Sequence, residues 1–167
     1  PSEIKDTDND TKIQVEESSD EDIIRFDIAG NERWRMEGTH IEPVGTGGSV
    51  FIGDNAGQND DLSANNNTFI GNNSGQTNST GYANSAIGYN SMAFNTSGRE
   101  NVSVGLNAMY NNTTGYRNAV IGYQALFTNT TGLGNVAMGY RALRTSSNKH
   151  YNIGIGYDAL YNNNGTG

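Results

Sequence analysis

Apolar residues recur in this chain on a fixed step. Ile52, Ile70, Ile87, Val104, Ile121, Met138 and Ile155 each precede a glycine, and those glycines are Gly53, Gly71, Gly88, Gly105, Gly122, Gly139 and Gly156. The first step is 18 residues and the next five are 17 each. Three places before each apolar residue stands Asn, from Asn67 to Asn152, with Ser49 in the first copy. A second apolar pair follows (Ala108-Met109, Ala125-Leu126, Ala142-Leu143, Ala159-Leu160), then a polar stretch of the N-T-T-G kind ending at Gly81, Gly98, Gly115 and Gly132. A period this short and regular marks a solenoid. Seventeen residues suit two short strands with their turns. The Ile and the Leu are expected to point into a narrow core, and the turn glycine to take positive φ. A helix fits poorly, because Ile and Leu five apart fall off the i, i+3/i+4 stripe and glycine interrupts every turn. The pattern predicts an all-β parallel β-roll, a β-solenoid of about seven 17-residue coils over residues 49–167.

Residues 1–48 do not share the period. Ile13-Gln14-Val15-Glu16 and Ile24 to Ile28 alternate apolar with polar, Ala29-Gly30-Asn31 is turn chemistry, and Glu32 to Met36 follows. This predicts a small antiparallel β segment of three short strands. Trp34 is expected to face in, with Arg33 and Arg35 outward; a ligand-stacking role for the three is the alternative. Residues 43–48 read as a hinge, giving two domains, 1–48 and 49–167.

Hydrophobic content of 34% and mean hydropathy of −0.66 are too lean for an ordinary globular core of this length. The registered apolar positions argue against disorder, whose polar tracts show no such register. A thin roll is short of burial, so association is expected: a strip of Ala/Leu/Met and Tyr positions packing on sibling chains, three around an axis. Charge is uneven. Residues 1–48 carry 13 acidic and 5 basic side chains, net −8, while 49–167 carry 5 of each, net 0. An acidic head and a neutral array argue against nucleic acid, which needs a basic stripe. Without cysteine there is no disulfide framework. No apolar run approaches the ~20 residues of a membrane helix. There is no n-region or h-region of a signal peptide, and the chain stops part-way through a repeat, so a fragment of a longer protein is expected.

Candidate chemistry is sparse. Asp6, Asp8 and Asp10 have the 1-3-5 spacing of a calcium loop, with Glu17 at position 12. Position 6 is Thr11 where such loops carry Gly, so a solvated acidic turn is the competing reading. Calcium is the one cofactor considered. His40 and His150 have no partner at ligand or triad spacing, and Asp54, Asp60, Asp61, Glu100 and Asp158 are too scattered for paired-carboxylate catalysis. An enzyme is not expected. Tyr89, Tyr123, Tyr140 and Tyr157 directly follow the period glycine and offer columns that could stack on sugar rings, or simply ladder with one another. The N-T-T triplets at Asn112 and Asn129 form glycosylation sequons but read as turns. Their threonines lie beside a Gly turn, unlike the flat strand rows of an ice-binding solenoid.

The repeat resembles the heads of trimeric autotransporter adhesins through Asn84-Ser-Ala-Ile-Gly88, Asn118-Ala-Val-Ile-Gly122 and Asn135-Val-Ala-Met-Gly139; its 17-residue coil with an N-T-T-G turn is longer than that family's usual unit. It is more similar to bacterial tail-fibre-domain proteins, which carry N-T-A-I-G-Y-x-A-L-Y-x-N-T-T-G units and N-terminal stretches like Asp6–Glu17 and Asp20–Gly30. The resemblance implies a left-handed β-roll in a homotrimeric fibre. It implies an extracellular structural or adhesive segment on a cell surface or phage-tail-like particle, attached to surface glycans or a host receptor without entering the membrane. A carbohydrate-binding module using the tyrosine columns is the alternative, and an ice-binding solenoid a weaker one.

Overall fold

The computed structural model describes residues 3–5, 12–15, 23–28, 31–37 and 40–163. The chain divides into two compact units, residues 1–48 and 49–167. Strands and turns make up both, with no helix among the described residues.

The N-terminal unit is a five-stranded antiparallel meander: β1 (Glu3–Lys5), β2 (Lys12–Val15), β3 (Ile23–Ile28), β4 (Asn31–Glu37) and β5 (His40–Pro43), each paired with the next. Two strands join the three that alternation alone picks out. β1 and β5 are three and four residues long, too short to show a period. A register shift between Phe26 and Asp27 marks a bulge in β3.

The second unit is a parallel β-solenoid. Its strands are β6 (Val50–Ile52), β7 (Thr68–Ile70), β8 (Ser85–Ile87), β9 (Val102–Val104), β10 (Ala119–Ile121), β11 (Val136–Met138) and β12 (Ile153–Ile155), stacked in sequence order through about six turns. Register follows the period: Val120 sits between Ser103 and Ala137. Each coil has one strand instead of the two expected. The A-L stretch is a tight turn, because its residues alternate into the left-handed region: Gln124 has φ 51° and Leu126 φ 49°. Such a chain is not extended, yet it still bonds to both neighbours. Gln124 N–H reaches Leu106 O at 3.0 Å, and Leu126 N–H reaches Ala142 O at 2.9 Å.

The period isoleucines point outward, not into the core. Ile87, Ile121 and Met138 are 42%, 43% and 39% exposed, whereas Ala86, Val120 and Ala137 beside them are fully buried. The reason is parity. Strand side chains alternate, so residues three apart face opposite ways, and the position taken inside is the asparagine's. Asn84, Asn101, Asn118, Asn135 and Asn152 each donate their amide N–H to the asparagine one coil earlier at 3.0–3.2 Å. A second ladder runs Asn95 to Asn78, Asn112 to Asn95 and Asn129 to Asn112, all at 2.7 Å. Both ladders end on Asp60, whose Oδ2 accepts from Asn67 at 3.0 Å and Asn78 at 2.9 Å. A buried amide without these partners would cost about 1–3 kcal/mol, so the interior holds polar columns because successive coils repeat them. Apolar filling comes from the strand centre and the turn together: Ala86, Met92, Val120 and Leu126 all belong to one buried cluster.

The turn glycines also act differently from expectation. Gly81, Gly98, Gly115 and Gly132 have no positive φ; they are required by space, since a Cβ on Gly115 would lie 2.5 Å from Gly132 O. The period glycines from Gly53 to Gly139 need both freedoms. Gly88 has φ +132°, and its Cβ would lie 2.7 Å from Gly105 O.

Candidate functional site

The outward side of the parallel sheet is built by the same parity that buries the asparagines. The first and third residues of each strand face away from the core, so successive coils present Val102 and Val104, Ala119 and Ile121, Val136 and Met138, then Ile153 and Ile155. Two residues on, at most about 7 Å along the chain, comes the column Tyr89, Leu106, Tyr123, Tyr140 and Tyr157, all exposed. An apolar band therefore runs along the roll from coil to coil. It consists of Ile/Val and Tyr columns; the Ala/Leu/Met positions expected to form such a strip are core instead, with Ala125 and Leu126 fully buried.

The tyrosines form a ladder. Tyr123 and Tyr140 stack with ring centroids 5.0 Å apart, and Tyr140 and Tyr157 with centroids 4.9 Å apart. Both faces of Tyr140 are covered by its neighbours, which leaves ring edges and phenol oxygens outward. Tyr89 stands two coils from Tyr123, with Leu106 in the coil between. A second aromatic run, Phe94, Tyr110 and Phe127, continues at 4.9 and 5.2 Å.

Charged groups of the repeat unit are mostly consumed between coils. Arg117 bonds Glu100 at 2.6 Å, and Arg141 clasps Asp158 through two bonds of 2.8 and 2.7 Å. These hydrogen bonds push both guanidinium groups further toward the charged form. Arg144 bonds Gln124 and the Tyr161 hydroxyl. Arg99 lies between the rings of Tyr82 and Tyr116, 5.9 and 4.4 Å from their centroids. Asp61 is held below the ordinary carboxylate range by the Ser63 hydroxyl, then the Ser63 N–H and the Asn65 amide. His150 accepts the Leu133 N–H on Nδ1 at 3.1 Å. Thr96 and Thr113 spend their hydroxyls on carbonyls of the next coil, each at 3.0 Å, so they do not form a free hydroxyl lattice. Asn112 and Asn129 of the N-T-T triplets are fully buried in the ladder.

Asp6, Asp8, Asp10 and Glu17 lie outside the described residues. Among the described residues no three His, Asp or Glu side chains converge as a metal site, and no helix is long and apolar enough to cross a membrane. In the N-terminal unit Arg35 bonds Glu42, Arg33 is exposed, and Trp34 is half-buried beside its register partner Phe26.

No protein family model, curated protein or solved structure matches the chain. Surface geometry therefore carries the functional argument. Its main feature, the outward Ile/Val band, was hidden in the sequence because Ala119, Val120 and Ile121 are all apolar and the strand reads as buried on both faces. The signal that finds it is the asparagine: once that column is placed inside, residues one and three places later must point out.

Proposed function

We propose that this chain is a segment of a self-associating β-solenoid fibre, a structural spacer that presents a repetitive surface for attachment outside the cell. The observation that carries the reading is the apolar band. Its exposed side chains amount to on the order of 1,000 Å², against roughly 300–600 Å² for the largest apolar patch of a typical monomer. Burial at ~25 cal/mol per Å² makes covering that band strongly favourable. A sibling chain suits it, since identical coils share one pitch of ~4.8 Å and keep register along the whole length. The likeness to adhesin heads supports three chains around an axis and an extracellular, surface or phage-tail-like setting. The partner at the far end, a surface glycan or host receptor, is part of the same proposal. Stacking of sugars on the tyrosine column is a poorer fit than attachment through an assembled surface, because Tyr123, Tyr140 and Tyr157 turn ring faces to one another.

Sedimentation equilibrium of the intact chain tests this. The expected mass is three times that of one chain, and Ile121→Asp together with Ile87→Asp should give a folded monomer, since both side chains leave the interior untouched. A folded wild-type monomer at micromolar concentration would reject the proposal.

A further inference from the structure

Asn129 and Ser146 are fully buried, and Asn129 Oδ1 and Ser146 Oγ find no hydrogen-bond partner in the protein. The coils before them show what chemistry belongs there. The Asn112 amide donates to Asn95 Oδ1 at 2.7 Å and to Gly115 O of its own turn at 3.1 Å. The Asn129 amide donates to Asn112 Oδ1 at 2.7 Å and to Gly132 O at 3.2 Å. Each amide nitrogen thus sits between an oxygen of the preceding rung and a carbonyl of its own turn. One coil on, the matching acceptors are Asn129 Oδ1 and Lys149 O. They still converge: a Cβ built on Gly132 meets both, as a Cβ built on Gly115 meets Asn112 Oδ1 and Gly132 O. Ser146 has no nitrogen to place between them.

We infer that this point of the ladder is a hydration site: one water molecule, bound by Asn129 Oδ1, Lys149 O and Ser146 Oγ, takes the part of the amide. Size fits. Serine is two heavy atoms shorter than asparagine. Lys149 Cβ takes up the place of one, since a Cβ at that position falls on the asparagine Oδ1 in the coils of Gly98, Gly115 and Gly132. Room for about one atom remains, close to what a single water needs. Backbone bonds keep that room open. Thr130 N–H reaches Ser147 O at 2.8 Å and Thr145 N–H reaches Tyr161 O at 3.0 Å, so the coils on either side stay at one pitch and do not close over it. Chemistry fits as well. A water has two O–H donors for the two acceptors that an amide serves, and a lone pair for the Ser146 hydroxyl, which makes about the three partners usual for a buried water. Lys149 O accepts from Asn135 at 2.8 Å and takes the water as a second donor, just as Gly132 O accepts from both Asn118 and Asn129. A cation does not fit. Three uncharged oxygens compare with about 6–8 oxygen ligands for Ca²⁺, and the carboxylate on which the ladders end belongs to Asp60 in the first coil, not the sixth. Ordering a solvent molecule costs entropy, so the hydrated rung stays weaker than an asparagine rung.

Magnetic relaxation dispersion of the water oxygen counts the long-lived waters that the intact chain holds. The wild-type chain should hold one more per copy than the Ser146→Asn, Lys149→Gly chain, whose new amide occupies the site. Equal counts would overturn the inference. Ser146→Ala gives a second test that leaves Lys149 and the backbone in place. In a dry interior alanine removes an orphan hydroxyl, which relieves an unpaired polar group and raises the melting temperature. At a hydrated rung it removes one of the water's three partners. The expected result is therefore a lower melting temperature, with faster exchange of the counted water. A melting temperature unchanged or raised by Ser146→Ala would show the site to be dry and overturn the inference.

Discussion

Lys149 stands where four earlier coils carry Gly81, Gly98, Gly115 and Gly132, and the side chain three residues before it changes too. A Cβ on Gly98 would overlap Asn95 Oδ1, and the same holds for Gly115 with Asn112 and Gly132 with Asn129. Lys149 has that Cβ, and position 146 is Ser in place of Asn. The exchange relieves the overlap and cuts the ladder: Asn129 Oδ1 and Ser146 Oγ are buried without a hydrogen-bond partner. An unpaired buried acceptor costs about 1–3 kcal/mol, which makes this the weakest rung of the column. The two positions should therefore be coupled. Ser146→Asn alone should lower the melting temperature by steric overlap. Lys149→Gly alone should lower it through lost backbone entropy, by about 1 kcal/mol. Together they restore the Asn/Gly pair of the other coils, let residue 146 donate to Asn129 Oδ1, and should melt above the parent chain. The coupling expected is about 0.5–3 kcal/mol, the range of directly contacting pairs. A double-mutant cycle read by thermal unfolding measures it, and strict additivity would refute the coupling.

At the scale of one coil, the strand centre and the turn share a fixed volume. The second coil has Phe69 at the centre and Gly75 in the turn, the third Ala86 and Met92, the fifth Val120 and Leu126. A Cβ on Gly75 would lie 2.5 Å from the Phe69 ring, so a large residue is admitted from one side or the other. Phe69→Ala should cost about 3–5 kcal/mol as a cavity, and Gly75→Met should cost about 1–3 kcal/mol by overpacking. The two together copy the Ala86/Met92 coil and should recover most of the loss, less about 0.5–1.5 kcal/mol for the broken Phe51–Phe69 stack. Urea unfolding of the four chains tests this, and a pair worse than either single change would refute shared volume. The period and the all-β class were legible in the sequence. The inward or outward sense of each column was not. Ile121 and Val120 are both β-branched and apolar, and only the pairing of Asn118 with Asn101 settles which is inside. The single strand per coil was equally hidden, because left-handed Met109 and Leu126 are not residues that advertise positive φ. The role of Asp60 was missed for a simpler reason: the first coil departs from the consensus, so an isolated acid gave no sign that two ladders end on it.

For the repeat unit as a whole, register is a stronger constraint than composition. In a solenoid each coil touches only its neighbours, so stability is close to a sum over junctions. The strands β6 to β12 make six such junctions. Removing residues 118–134 deletes one full period and joins Arg117 to Asn135. Asn101 then meets Asn135, Val104 meets Met138 and Gly105 meets Gly139, as coils meet elsewhere. That chain should fold, with a urea m-value lower by about one-sixth of the repeat unit's share, because m scales with the surface exposed on unfolding. Removing residues 118–133 instead changes the composition by almost the same amount but shifts every later column by one. The shift turns the Ile column inward and the Asn column outward, and moves Gly139 off the carbonyl it must approach. Coils after the cut should lose their cooperative transition. The first coil shows where an extra residue is tolerated: its 18th lies between Asp60 and Asn67, in a stretch without strand, where Asp60, Asp61 and Asn65 bond among themselves. A glycine inserted at Ser63 should accordingly cost far less than one inserted at Val120. Circular dichroism and urea titration of the two deletions decide the matter. If the 16- and 17-residue deletions unfolded alike, the stacked ladders would not be what holds the coils together.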